Sequence, residues 1–214
     1  MSYFYYFASL SSVLPVFFFL TTWKKMEHSK FNKLLLAFFL YRFITDVISL
    51  FLEKQLDSSL PMAHFTVVCE GLFYLELARS QALFKTSSIR LFQSSVLLIA
   101  LIEFLTTCDF WVNNWYATIY TYSLVVLINF YLVVRSKESL QDGKKLFAVS
   151  VFTYYSTLIL YFIFEDIIRS DMSLFMRLFP YVYSIVILFN VALSYVIYLT
   201  RKKIVLHDVH SISY

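Results

Sequence analysis

The stretch Leu34–Leu52, LLLAFFLYRFITDVISLFL, is the part of this chain that decides how the rest is read. A helix crosses roughly 30 Å of hydrocarbon with about 20 mostly apolar residues, because each residue rises about 1.5 Å and every backbone amide must bond within the segment. This stretch has that length, yet it contains Arg42 and Asp46. Its thirteen Leu, Phe, Ile and Val residues contribute roughly −0.3 to −0.6 kcal/mol each on an insertion scale, while a central Arg or Asp costs about +2.5 to +3.5. Alone, the segment is near break-even. It belongs in a membrane only if its polar groups turn away from lipid.

Arg42, Thr45, Asp46, Ser49 and Glu53 recur at spacings of three and four, which at about 100° per residue places them on one stripe. Such a stripe is expected to face the interior of a bundle. Arg42 and Asp46 can pair at i,i+4, and neighbouring helices must supply further partners.

Working outward, six more segments pass the length and polarity test: 4–23, 61–84, 91–107, 115–134, 146–164 and 178–200. The composition agrees. The chain of 214 residues is 60% hydrophobic and 15% charged, against about 45–50% and about 25% for a soluble domain. Too few polar side chains are present to cover an aqueous surface. The fold class expected is an all-α polytopic membrane protein, a seven-transmembrane helix bundle forming one domain over 1–200, with a short cytoplasmic tail at 201–214. Short connections make sequential helices antiparallel neighbours.

Basic loops are retained in the cytoplasm. On alternate sides of the seven segments the Lys and Arg residues number fourteen against three, with Arg42 left within the membrane. The expected location is the plasma (inner) membrane, with the N-terminus outside and the C-terminus cytoplasmic. Trp23, Trp111 and Trp115 fall at segment ends, where indole prefers to sit. The first segment has no basic region before it and reads as a span, not a cleaved leader. The net charge of +4 is thus a topology signal, with no nucleic-acid footprint.

Depth nominates partners for the stripe. At about 1.5 Å per residue, Asp46 and Glu103 lie about 18 Å above the cytoplasmic ends of their segments, and Glu70 about 13 Å below its outer end. With the second, third and fourth segments adjacent, Arg42, Asp46, Glu70 and Glu103 are expected to form one cluster. Tyr74, one turn from Glu70, is expected to donate a hydrogen bond to it. One cation against three carboxyls predicts that at least one carboxyl stays protonated at neutral pH. A buried structural network is the plain reading of such a cluster; a ligand site, ion site or proton relay is the other.

Lesser features have plainer expectations. Asn190 and Ser194, one turn apart, are candidates for interhelical hydrogen bonds. Tyr154, Tyr155, Ser156 and Tyr161 give the sixth segment a polar face, Glu76 and Arg79 form an i,i+3 pair near the cytoplasmic end, and Pro180 is a possible kink site. Cys69 and Cys108 are expected at different depths, unpaired. No metal spacing, Gly-rich phosphate loop, HExxH pair or GxSxG elbow is present, and no span carries the lysine that retinal would need. No catalytic residue, metal or cofactor is therefore assigned, and no enzyme activity.

The order LPVFFFLTTWKKMEHSKFNKLLLAFFLYRFITDVISLFLEK, HFTVVCEGLFYLELARSQALFK and YVYSIVILFNVALSYVIYL resembles a family of bacterial seven-helix integral membrane proteins often encoded near two-component sensor kinases. The resemblance rests on hydropathy order, the acidic residue of the second segment, Glu70 and Asn190. The chain differs in the fifth segment, where Thr121, Tyr122 and Ser123 stand in place of an expected acidic residue. The resemblance implies a signalling context. The function expected is a sensory or receptor-like module in the lipid bilayer that signals through a membrane or kinase partner, since the tail RKKIVLHDVHSISY is too short for an effector domain. The ligand is not named by the residues. A small proton-coupled transporter and a structural or assembly subunit are the alternatives.

Overall fold

The computed structural model describes residues 2–23, 29–56, 60–80, 84–107, 116–135, 143–164 and 170–211. Among them the structure is helical throughout, with no strand. The elements are α1 (Ser2–Ser11), α2 (Val13–Thr22), α3 (Lys30–Leu56), α4 (Leu60–Ser80), α5 (Thr86–Thr107), α6 (Tyr116–Arg135), α7 (Gly143–Ile163) and α8 (Met172–Ser211). Each of the seven apolar segments contains helix among its described residues.

The first segment is broken at Ser12 for a reason legible in its side chains. Pro15 has no N–H to offer the carbonyl of Ser11, four residues back, and its ring crowds that carbonyl. The Ser11 and Ser12 hydroxyls donate to the carbonyls of Ala8 and Ser9, each at 2.6 Å, which competes with the regular ladder. Ser12 still keeps helical angles, so α1 and α2 form one interrupted segment. Pro180, by contrast, does not interrupt α8. That helix continues through the stretch expected as a tail, as far as Ser211.

Among the described residues, five helices are long and apolar enough to cross a membrane: Lys30–Leu52, Thr86–Thr106, Tyr116–Arg135, Gly143–Ile163 and Met176–Leu199. The first segment contributes a shorter apolar helix, Tyr6–Thr22. The α4 helix carries Glu70, Glu76 and Arg79, three charges in 21 residues.

Packing closes a ring. The α3 helix packs on α4, α4 on α6, α6 on α7, α7 on α8, α8 on α1 and α2, and these return to α3. The α5 helix packs on α4 and α6, outside the ring. Phe19, Phe38, Phe39, Phe147, Tyr155 and Leu193 meet in the central core. A second core joins Leu75, Ile89, Val96, Ile128 and Leu132 between α4, α5 and α6. On its far side α5 exposes Leu91, Leu97, Leu98, Leu101 and Leu105, an apolar row suited to lipid.

Gly71 is what lets α4 and α6 touch. A Cβ at that position would run into the Cγ2 methyl of Thr121. Side chains of ordinary size would hold the two helices apart.

Candidate functional site

Arg42 of α3 and Glu70 of α4 face each other inside the ring, 6% and 4% exposed. Nε of Arg42 lies 3.3 Å from Oε1 of Glu70. The second carboxylate oxygen accepts a 2.7 Å hydrogen bond from the Tyr155 hydroxyl of α7. Three helices are therefore tied through one carboxylate, and both contacts are charge-assisted in a medium that screens weakly.

The guanidinium is walled by rings. Its Cζ lies 5.9 Å from the centroid of Phe38, 5.5 Å from Tyr154 and 5.2 Å from Phe189. Tyr154 and Phe189 stack face to face, 4.1 Å apart and 2° from parallel, joining α7 to α8. Cations over aromatic faces are attracted by the ring quadrupole, more so when desolvated. Arg42 is nonetheless under-bonded: its Nε and Nη1 make no hydrogen bond among the described residues, although Nε is within ion-pairing distance of Glu70.

Asp46 completes the group as expected from the stripe. It is half-buried, sits within electrostatic reach of Arg42 and Glu70, and its side chain meets Ser12 at the break of the first segment. Thr45 is buried beside it, its hydroxyl donating to the Arg42 carbonyl at 2.8 Å. The side chain of Glu53, last of the stripe, lies outside the described residues.

Two expected members do not make the contacts read from the sequence. Glu103 does not join the cluster. Its Oε2 accepts the backbone N–H of Ala117 at 2.5 Å, satisfying one of the donors that the start of α6 leaves open. The reason is the direct α4–α6 contact, which keeps α5 and its carboxylate out of the ring. Tyr74 is adjacent but does not bond Glu70. The carboxylate points across the bundle to α3 and α7, so the phenol of a facing helix reaches it and that of its own helix does not. The Tyr74 ring packs on Phe38 and Tyr155, at 4.8 and 5.2 Å between centroids. Its hydroxyl makes no hydrogen bond among the described residues. With Glu103 gone, the charge count becomes one cation against two carboxyls.

Asn190 does cross between helices, its Nδ2 donating to Oγ of Ser11 at 2.8 Å. Ser194 does not, because its hydroxyl bonds the Asn190 carbonyl of its own helix at 2.8 Å. Glu76 accepts from Arg79 and lies 3.1 Å from Nζ of Lys30, so this pair also ties α4 to α3. Trp111, Trp115 and Cys108 lie outside the described residues.

Tyr155 is the member of the cluster that sequence reasoning left without a partner. The polar face of α7 signalled it, but a contact across 85 residues has no local trace. Chemically, the site holds a desolvated charge pair with free donor capacity. The fold and site define an all-helical protein, with several helices suited to a bilayer and an ion pair at its centre. No protein-family model, no curated protein and no solved structure matches the chain.

Proposed function

We propose that this chain is a seven-span membrane protein, with its N-terminus outside and its C-terminus cytoplasmic, that works as a receptor-like sensory module and signals through a partner. The observation that carries this reading is the under-bonded pair. Burying two charges costs several kcal/mol each, and the attraction offsets this only when the remaining donors are also bonded. A pair that leaves Nε and Nη1 of Arg42 without hydrogen bonds is poised to re-bond in a second arrangement, and a signal needs such a two-state element. Phe189, against Arg42, lies on α8, which runs unbroken to Ser211. A shift at the pair therefore has a stiff lever of roughly 18 Å beyond the apolar span, at about 1.5 Å per residue. Orientation follows from the fourteen basic residues on one side against three on the other.

Crosslinking the full chain in its native cells tests the reading. One membrane or kinase partner is expected to be recovered repeatedly, with its recovery altered several-fold by Glu70→Gln at constant chain abundance. Recovery of this chain alone, in wild type and variant alike, overturns it.

A proton-coupled carrier is the second reading, supported by the half-buried Asp46 at the edge of an otherwise sealed pair. Proton flux through the chain in proteoliposomes, lost in Glu70→Gln, selects that reading over the first. If Arg42→Ala lowers abundance and neither signal nor flux is found, the cluster serves assembly.

A further inference from the structure

The α5 helix, outside the ring, meets α6 along a seam that runs to the basic end of the bundle. On α6, Tyr120, Leu127, Tyr131 and Val134 recur at spacings of seven, four and three; on α5, Leu91, Ser95, Leu98 and Ile102 recur at four, three and four. Each set therefore keeps to one line of its helix. Two contacts join the lines. The Tyr120 hydroxyl donates to Oγ of Ser95 at 2.7 Å, and the Tyr131 ring lies 5.0 Å from that of Phe84, just before α5. From the first contact to the second, each chain segment advances or retreats by eleven residues, as antiparallel helices in register require. We propose that this seam holds one anionic phospholipid, its phosphate at the Phe84–Tyr131 end and an acyl chain laid between the two lines.

The walls select the chain. Leu91, Leu98 and Ile102 of α5 and Leu127 and Val134 of α6 are exposed. The polar pair between them is committed within the protein, Tyr120 to Ser95 and Ser95 onward to the Phe92 carbonyl at 2.8 Å. An acyl chain thus gains dispersion contacts from two helices and has no hydrogen bond to satisfy. From Phe84 to Ser95 the seam runs roughly 16 Å at about 1.5 Å per residue, against about 15 Å of hydrocarbon in one leaflet. Its length suits the tail of a lipid in the leaflet at that end.

The end selects the head group. Arg135 is exposed and lies over Tyr131, with Cζ 5.4 Å from the ring centroid. Lys85 is exposed and follows Phe84 directly in the chain. The Phe84–Tyr131 pair therefore carries one cation from each side of the seam. Among the described residues neither cation is in an ion pair, and α5 has no acidic residue in its first turn. Glu76, toward the same end of α4, is engaged by Lys30 and Arg79. A guanidinium binds a phosphate through paired hydrogen bonds and an ammonium binds it as a point charge, so the two together are complementary to a phosphodiester. Tyr131 suits the same depth, because its ring prefers the boundary between hydrocarbon and water.

The site rests on the membrane reading above, and one experiment separates the two. The full chain, purified in mild detergent and stripped of lipid, is titrated with phosphatidylglycerol or with phosphatidylcholine of the same acyl chains, and bound lipids are counted by native mass spectrometry. One phosphatidylglycerol is expected to bind at least about fivefold tighter than phosphatidylcholine. Lys85→Gln and Arg135→Gln are each expected to weaken it about threefold, and the double variant about tenfold, in protein that stays monodisperse and with phosphatidylcholine unchanged. Lys33→Gln removes an exposed cation toward the same end on α3 and is expected to leave the affinity as it was. Excess glycerol phosphate is expected not to displace the lipid. Equal affinity for the two lipids overturns the site. An equal loss in Lys33→Gln also overturns it, since the overall charge of that end would then suffice, as does displacement by glycerol phosphate, since the seam would then contribute nothing. A chain that stays in aqueous solution without detergent overturns the membrane reading itself.

Discussion

Glu70 and Glu103 are the same residue type on neighbouring apolar helices, each under a tenth exposed, yet they do different work. Glu70 faces a guanidinium and a phenol from two other helices. Glu103 closes the open end of the next helix along the chain. In a bilayer no buried carboxylate can go without a partner, but the partner need not be a charge. What separates the two is azimuth, not depth: α4 belongs to the central ring and α5 lies outside it, and whatever each carboxylate finds there sets its role.

The largest test of the contrast removes the cation. Arg42→Ala leaves Glu70 buried and unpaired, with an expected loss of about 3–5 kcal/mol, the range for breaking a buried pair from one side. Replacing both partners by leucine is expected to return most of that loss, because a well-packed apolar pair has no charge to desolvate. Unfolding in mixed micelles measures both. If the double variant is as unstable as Arg42→Ala, the penalty belongs to lost packing of the Phe38, Tyr154 and Phe189 rings and not to the orphaned charge.

Much of this was legible from the chain alone. Hydropathy is a one-dimensional property, so the apolar segments and the stripe on α3 could be read directly, and depth arithmetic brought Arg42, Asp46 and Glu70 together. Depth carries no azimuth. It could not show that Gly71 against Thr121 seats α4 directly on α6 and moves α5, with Glu103, to the outside. The Tyr155 and Ser11 contacts span 85 and 179 residues and depend on which faces meet. The break at Ser12 was readable in principle, from Pro15 placed four residues after Ser11, and its cause is local.

The gatekeeping role of Gly71 gives the next test. On propensity alone Gly→Ala in a helix stabilises by about 1 kcal/mol. Here the added methyl meets the Thr121 Cγ2 in a packed interface, and overpacking costs about 1–3 kcal/mol, so Gly71→Ala is expected to destabilise. Thr121→Ser removes the opposing methyl and is expected to rescue it. A Gly71→Ala variant that melts above the wild type would show that α4 and α6 do not need this approach. Glu103 is expected to be milder: Glu103→Ala costs about 1–2 kcal/mol, the scale of a lost helix cap, while Glu103→Gln retains an acceptor and costs less than about 1. Faster hydrogen exchange at the Ala117 amide in Glu103→Ala is the specific readout. Equal damage from Gln at positions 70 and 103 would erase the distinction between ion pair and cap.

The smallest effect lies at Asn190, and its size is itself informative. Its side chain bonds Ser11 across the α1–α8 contact, and interhelical hydrogen bonds in membranes average about 0.6 kcal/mol, because unfolded helices in lipid also find partners. Asn190→Ala is therefore expected to shift stability by about that amount, and Ser11→Ala by no more, with the double variant showing coupling of the same order. The Ser11 hydroxyl also donates back to Ala8, so losing Asn190 leaves it bonded within its own helix. A loss of several kcal/mol at Asn190 would mean that the break at Ser12 is held open by α8. The first segment would then be coupled to the Arg42–Glu70 pair through the contact of Ser12 with Asp46.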